Sequence, residues 1–117
     1  MKRILLVTET SAFASAKARE GHDLLLALAA VEHQVSVLYR GAGVTQLAIT
    51  ATHGAPVKDF TKSQKLFTLY DIDAVYACTE SLAFYHLTAD VLNITVDTVA
   101  VAQQQQLLSQ FDEVILC

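Results

Sequence analysis

The sequence predicts an α/β protein: a three-layer α/β/α sandwich around a mostly parallel sheet of about five strands. Short apolar runs recur at Ile4-Leu-Leu-Val7, Ala74-Val-Tyr-Ala-Cys78 and Val114-Ile-Leu-Cys117, with stretches of helical character between them. Hairpin turns are mostly missing between the runs, so the strands pair in parallel through right-handed crossovers. Neither a repeat nor a linker interrupts the 117 residues, and residues 1–117 read as one domain.

Arg3 to Thr8 is expected as a buried first strand, because its apolar run is continuous rather than alternating. Thr8-Glu9-Thr10-Ser11 makes a hydroxyl-rich loop, and a helix follows from about Ala14 to Glu32. Leu24, Leu25, Leu28 and Val31 mark its apolar stripe, but Leu26, Ala27, Ala29 and Ala30 leave little polar face. Such a helix packs on the sheet with one side and on something else with the other. Gly21 lowers helix propensity by about 1 kcal/mol relative to alanine, which a close approach to a neighbour would explain.

Gln34 to Tyr39 is the second strand, ended by the turn signal Gly41-Ala-Gly43. Val44 to Ile49 suits a short helix, and Thr52-His-Gly-Ala-Pro56 a loop. Thr61-x-x-Gln64 has the form of a capping box, opening a helix with Leu66, Phe67 and Tyr70 that stops near Asp71. Ala74 to Cys78 is the third strand, followed by a helical turn or two through Phe84. A short fourth strand is expected around Ile94-Thr-Val96. Asp97-Thr98 then caps a last helix, with Val101, Leu107, Leu108 and Phe111 inward and Gln103 to Gln106 facing water. Asp112 to Cys117 forms the final strand.

The composition is unusually oily for this size. Its hydrophobic fraction of 53% exceeds the ~45–50% of soluble domains, and its charged fraction of 17% falls below the usual ~25%. Surface this sparsely charged is expected to be hidden against other subunits. A net charge of −4 argues against a direct electrostatic grip on nucleic acid. Met1-Lys-Arg3 carries the charge of a signal peptide, but Ile4 to Val7 is too short for its apolar core. Leu24 to Val31 is likewise well short of the ~20 residues of a membrane span. The 2 cysteines, Cys78 and Cys117, form neither a CxxC pair nor a metal-ligand spacing. A reduced, cytoplasmic setting is the expectation, away from membranes.

Functional groups in such sheets gather beyond the carboxyl ends of the strands, where Thr8 to Ser11, Tyr39 to Gly43 and Cys78 to Ser81 converge. Cys78 is the candidate reactive thiol. A helix opening at Thr79 or Glu80 would favour its thiolate, while the Glu80 charge would oppose it. The alternative is a half-buried thiol that simply packs under that helix. The loop at Thr8 to Ser11 invites an anion-binding reading, but it lacks glycine and carries Glu9. Gly41-x-Gly43 is only a fragment of a dinucleotide fingerprint. His22, His33, His53 and His86 are scattered, so neither a metal nor a cofactor is expected.

Four stretches occur in a familiar order: Met1-Lys-Arg-Ile4, Arg19-Glu-Gly-His-Asp-Leu-Leu25, Leu69-Tyr-Asp-Ile72 and Phe111-Asp-Glu-Val-Ile115. Together they resemble the DsrE/DsrF-like family, of flavodoxin-like fold, and most closely its DsrF-type branch. The resemblance implies an accessory subunit beside the siblings TusB and TusD, in a cytoplasmic dimer of heterotrimers. That assembly relays persulfide sulfur from TusA towards TusE, and the sulfur ends in the 2-thiouridine of tRNA wobble positions. It also implies that a sibling carries the sulfur on a cysteine after the corresponding third strand, the place Cys78 occupies here. Two alternatives stand beside this reading: a direct persulfide carrier using Cys78, and a homo-oligomeric module binding a small anion at Thr8 to Ser11.

Overall fold

A computed structural model of the chain describes residues 2–11, 17–31, 33–48, 67, 70–72, 74–92 and 94–117. Strands β1 (Arg3–Thr8), β2 (Gln34–Tyr39), β3 (Ala74–Cys78), β4 (Asp97–Val99) and β5 (Glu113–Leu116) form one sheet in the order β4-β3-β2-β1-β5. Every pairing is parallel. Helices α1 (Lys17–Ala30), α2 (Thr79–Phe84) and α3 (Val101–Leu108) flank it, with 3₁₀ turns at Gly41–Ala48 and Ala89–Val91.

The strand order explains the layering. The path β1 to β2 to β3 to β4 always steps the same way, so right-handed crossovers leave its connections on one face. The return from β4 to β5 runs backwards, and α3 therefore lies on the other face. The packing agrees. On the first face Leu6, Val35, Val37, Tyr39 and Ala77 of the sheet meet Leu25 of α1, Val44 and Leu47 of the 3₁₀ turn, Phe67, and Leu82 of α2. On the second, Leu5, Val7 and Leu38 meet the partly buried Tyr76, Leu108 and Phe111. Each large aliphatic side chain fully buried this way stabilises the fold by about 2 kcal/mol.

Two glycines fix backbone approaches. A Cβ on Gly43 would stand 2.2 Å from the carbonyl oxygen of Thr8, so the 3₁₀ turn sits directly on the end of β1. A Cβ on Gly21 would lie 3.0 Å from the Cys117 Cβ, the close approach its position in a helix suggested.

Three expectations are corrected. The fourth strand is Asp97–Val99, not Ile94 to Val96: residues 97–99 pair with Tyr76 to Cys78, while Ile94 and Val96 pack against the first-face core. Asp97 and Thr98 are thus strand residues, and α3 begins after Ala100 with no side-chain cap of its own. Within α3, Gln103, Gln105 and Gln106 are exposed and Leu107 and Leu108 partly buried as expected, but Val101 is 57% exposed and Gln104 only 6%, the reverse of the expected facing at these two positions. Gln104 lies four residues before the inward Leu108, so the 3.6-residue period brings it to the sheet. The start of the first helix at 14–16, Ile49, the loop at 52–56 and the capping box at Thr61 and Gln64 lie outside the described residues.

Candidate functional site

The carboxyl ends of the strands form one rim, tied together by side chains from neighbouring loops. The buried Gln46 of the 3₁₀ turn donates its side-chain amide to the Thr8 hydroxyl at 2.9 Å and to the Thr10 carbonyl at 2.6 Å. Arg40, beyond β2, pairs with Glu9, beyond β1, at 3.2 Å, and its backbone N–H donates to the Thr8 carbonyl. The hydroxyl loop of Thr8 to Ser11 is therefore bound inward by Gln46 and clasped by a neighbouring cation.

Cys78 closes β3 opposite Val99 of β4 and is 2% exposed. Strand alternation places its side chain on the same face as Tyr76, the α3 side of the sheet. α2 begins at the next residue, which turns its first backbone N–H groups towards the sulfur. Burial pushes the thiol up. Hydrogen bonds from the Ser81 hydroxyl and N–H, the Gln104 side chain and the Glu80 N–H outweigh that effect, so the thiol sits below its ordinary value.

These partners are themselves held from behind. The Ser81 hydroxyl oxygen accepts the Gly41 N–H at 2.9 Å, and Gly41 adopts φ 56°, a backbone that glycine takes without strain. Gln104 donates to the Val99 carbonyl at 3.2 Å. The Glu80 carboxylate accepts the Val101 N–H at 3.0 Å and so supplies from α2 the cap that α3 lacks. The Cys78 thiol donates to the same carboxylate oxygen at 4.0 Å, a bond that favours the protonated thiol even as the Glu80 N–H favours the thiolate.

Cys117, just past β5, faces the other side of the sheet, among the α1 residues. Burial raises its thiol, and the Glu20 charge raises it further. Among the described residues no group of histidine, cysteine, aspartate and glutamate could hold a metal ion. No helix there is long and apolar enough to cross a membrane. Sequence reasoning singled out Cys78 but missed Gln104, the capping role of Glu80 and the Gly41-to-Ser81 hydrogen bond. For Gln104 the signal was present, as its spacing from Leu108.

Fold and site together define an α/β protein with a hydrogen-bonded cysteine at the carboxyl edge of an all-parallel sheet. The chain belongs to the DsrE/DsrF-like family, whose model matches residues 2–116. It is 39% identical over 109 residues to the protein TusC homolog of Vibrio vulnificus (strain CMCP6), covering 92% of each chain. It is 38% identical over 82 residues to protein TusC of Klebsiella pneumoniae (strain 342), covering 69% of each. The crystal structure of the ychN protein from E. coli matches with a TM-score of 0.85 over 100% of both chains, at 15% identity, a likeness of fold.

Proposed function

We propose that this chain is a TusC-type subunit of a cytoplasmic sulfur-relay assembly. In this reading it stands beside TusB and TusD in a dimer of heterotrimers, passing sulfur from TusA towards TusE for 2-thiolation of tRNA. The observation that carries the reading is the 39% identity to a TusC homolog across 92% of both chains. Physical chemistry supports it: Leu24, Val31, Phe84, Val101 and Leu116 stay exposed on both faces and ends of the sheet, an apolar excess suited to sibling subunits. The subunit shapes the assembly and does not itself hold RNA, in keeping with its net charge of −4. Co-expression with TusB and TusD tests this. A hexamer of native mass matching two heterotrimers is expected, and failure to co-purify overturns the reading.

A second reading, direct persulfide carriage by Cys78, is favoured by its place at the carboxyl end of β3, where the neighbouring Ser81, Gln104 and Glu80 hold the thiol below its ordinary value against the cost of burial. Replacing Cys78 by serine separates the two. Unchanged tRNA 2-thiolation leaves an accessory subunit, and its loss makes Cys78 a carrier. The small-anion alternative draws little from the geometry, because Gln46 takes the Thr8 hydroxyl and Glu9 stands in the same loop.

A further inference from the structure

We propose that the corner where α2 ends beside β4 is a docking surface for a basic, apolar segment of a partner protein. The proposal deepens the subunit reading above and rests on it. α2 closes in a Schellman turn: the Leu87 N–H donates to the Leu82 carbonyl at 2.8 Å and the His86 N–H to the Ala83 carbonyl at 3.1 Å. His86 takes the left-handed backbone that this turn requires, at φ 56°. Leu82 and Leu87 turn into the first-face core. Phe84, two residues on from Leu82, is thereby driven to the opposite side of the helix and is 75% exposed. Tyr85 meets it edge-on, with ring centroids 5.0 Å apart. The aromatic pair is held out on a fixed turn, so a partner meets it with little ordering cost.

A cavity of about 280 Å³ opens at the same corner, lined by Leu82 of α2, by Leu92, Ile94 and Val96, and by Thr98 of β4. That volume falls below the ~300–1,000 Å³ of small-molecule sites and suits one anchoring side chain of a polypeptide. β4 is an outer strand of the sheet, and its Asp97 and Thr98 are exposed alongside.

Charge selects the occupant. All 8 lysines and arginines of the chain precede Leu66, whereas 7 of its 12 aspartates and glutamates follow. The corner is therefore built from a stretch with neither lysine nor arginine, and Glu80, Asp90 and Asp97 are exposed around it. Two of these carboxylates are fixed in place, Glu80 by the Val101 N–H and Asp90 by the Thr88 hydroxyl. Such a rim repels phosphates, anionic lipid and acidic peptides, and it attracts lysine or arginine flanking an apolar anchor. A second copy of this chain fits poorly, because Lys2, Arg3 and Arg40 are already engaged by Glu113, the Gln110 carbonyl and Glu9.

The test replaces Phe84 by the photo-crosslinking residue p-benzoylphenylalanine in the full chain, co-expressed with TusB, TusD, TusA and TusE, and identifies adducts by peptide mass spectrometry. The expected adduct is with a partner peptide in which lysine or arginine flanks the cross-linked apolar residue. Asp90→Lys combined with Asp97→Lys, both at exposed positions, is expected to cut the adduct yield about fivefold. Asp97→Asn, of unchanged size, is expected to cut it about twofold. Absence of an adduct, an adduct with a second copy of this chain or one with an acidic peptide overturns the proposal, as does a yield that these substitutions leave unchanged. Native mass keeps the subunit reading separate. The expected adduct without the hexamer sinks that reading and supports the surface, whereas the hexamer without the adduct sinks the surface alone.

Discussion

Cys78 and Cys117 both stand at the carboxyl end of a parallel strand in one sheet, and they are driven in opposite directions. At the end of β3, α2 and α3 bring a hydroxyl, an amide and backbone N–H groups to the sulfur, and their donation overcomes the cost of burial. At the end of β5 the sulfur meets Gly21, the stem of α1 and the Glu20 charge, so burial and repulsion act together. A place at the carboxyl edge is therefore not enough to make a thiol reactive. The element next to the strand end decides it: β3 runs straight into a helix that folds back over its end, whereas beyond β5 the sulfur lies against α1 and the first-face core.

The largest separation between the two ends is expected from Gly43→Ala. The added methyl would meet backbone at 2.2 Å, costing about 3 kcal/mol and displacing the turn that supplies the Gly41 N–H. Urea unfolding measures the loss, and Cys78 alkylation should shift to higher pH while Cys117 stays put. In the wild-type chain, alkylation should rise with pH first at Cys78, below an ordinary thiol, and later at Cys117, above one. The signs carry into stability. The lowered thiol of Cys78 contributes stability that is present above the unfolded thiol value of ~8.5 and is lost as pH falls through its folded value. The raised thiol of Cys117 contributes stability that is present below that value and is lost as pH rises through its own. Cys117→Ser should therefore flatten the alkaline decline in melting temperature, and an unchanged decline would remove Cys117 as its source.

Smaller effects belong to single contacts. Gly21→Ala is expected to cost about 1 kcal/mol net, as crowding against Cys117 of about 2 kcal/mol exceeds a helix-propensity gain of about 1 kcal/mol. Its denaturation midpoint should fall while Cys78 alkylation stays unchanged. Glu80→Gln keeps a cap on α3 but removes its charge, for a loss of about 0.5 kcal/mol. It should also speed Cys78 alkylation at neutral pH, because the opposing carboxylate is gone. Lys2→Ala breaks only the exposed 3.3 Å pair with Glu113 at the amino end of β5 and is expected to change stability by less than about 0.5 kcal/mol.

The layers and four of the strands were legible because buried parallel strands leave continuous apolar runs, as at Arg3–Thr8 and Ala74–Cys78. β4 was not, since its Asp97-Thr98-Val99 is an exposed edge whose pairing comes from backbone alone, while the nearby apolar Ile94 and Val96 belong to the core. At the site, the sequence points to Cys78 by its place after an apolar run, and it cannot show which residues from other elements reach the sulfur. Ser81 depends on a Gly41 conformation forty positions away, and Gln104 on where α3 crosses the sheet. Local patterns report each element's own faces; the donors around a sulfur are set by how three elements meet.

The β4-β3-β2-β1-β5 order also bears on biosynthesis. One edge of β1 takes β2 early, but the other waits for β5, more than a hundred residues downstream, where the Asp112 carboxylate accepts the Arg3 N–H and the Asp112 N–H donates to the Arg3 carbonyl. A nascent chain thus holds an unzipped, apolar β1 margin until residues 113–116 leave the ribosome, which makes the earliest strand the last to be sealed and a ready target for chaperones.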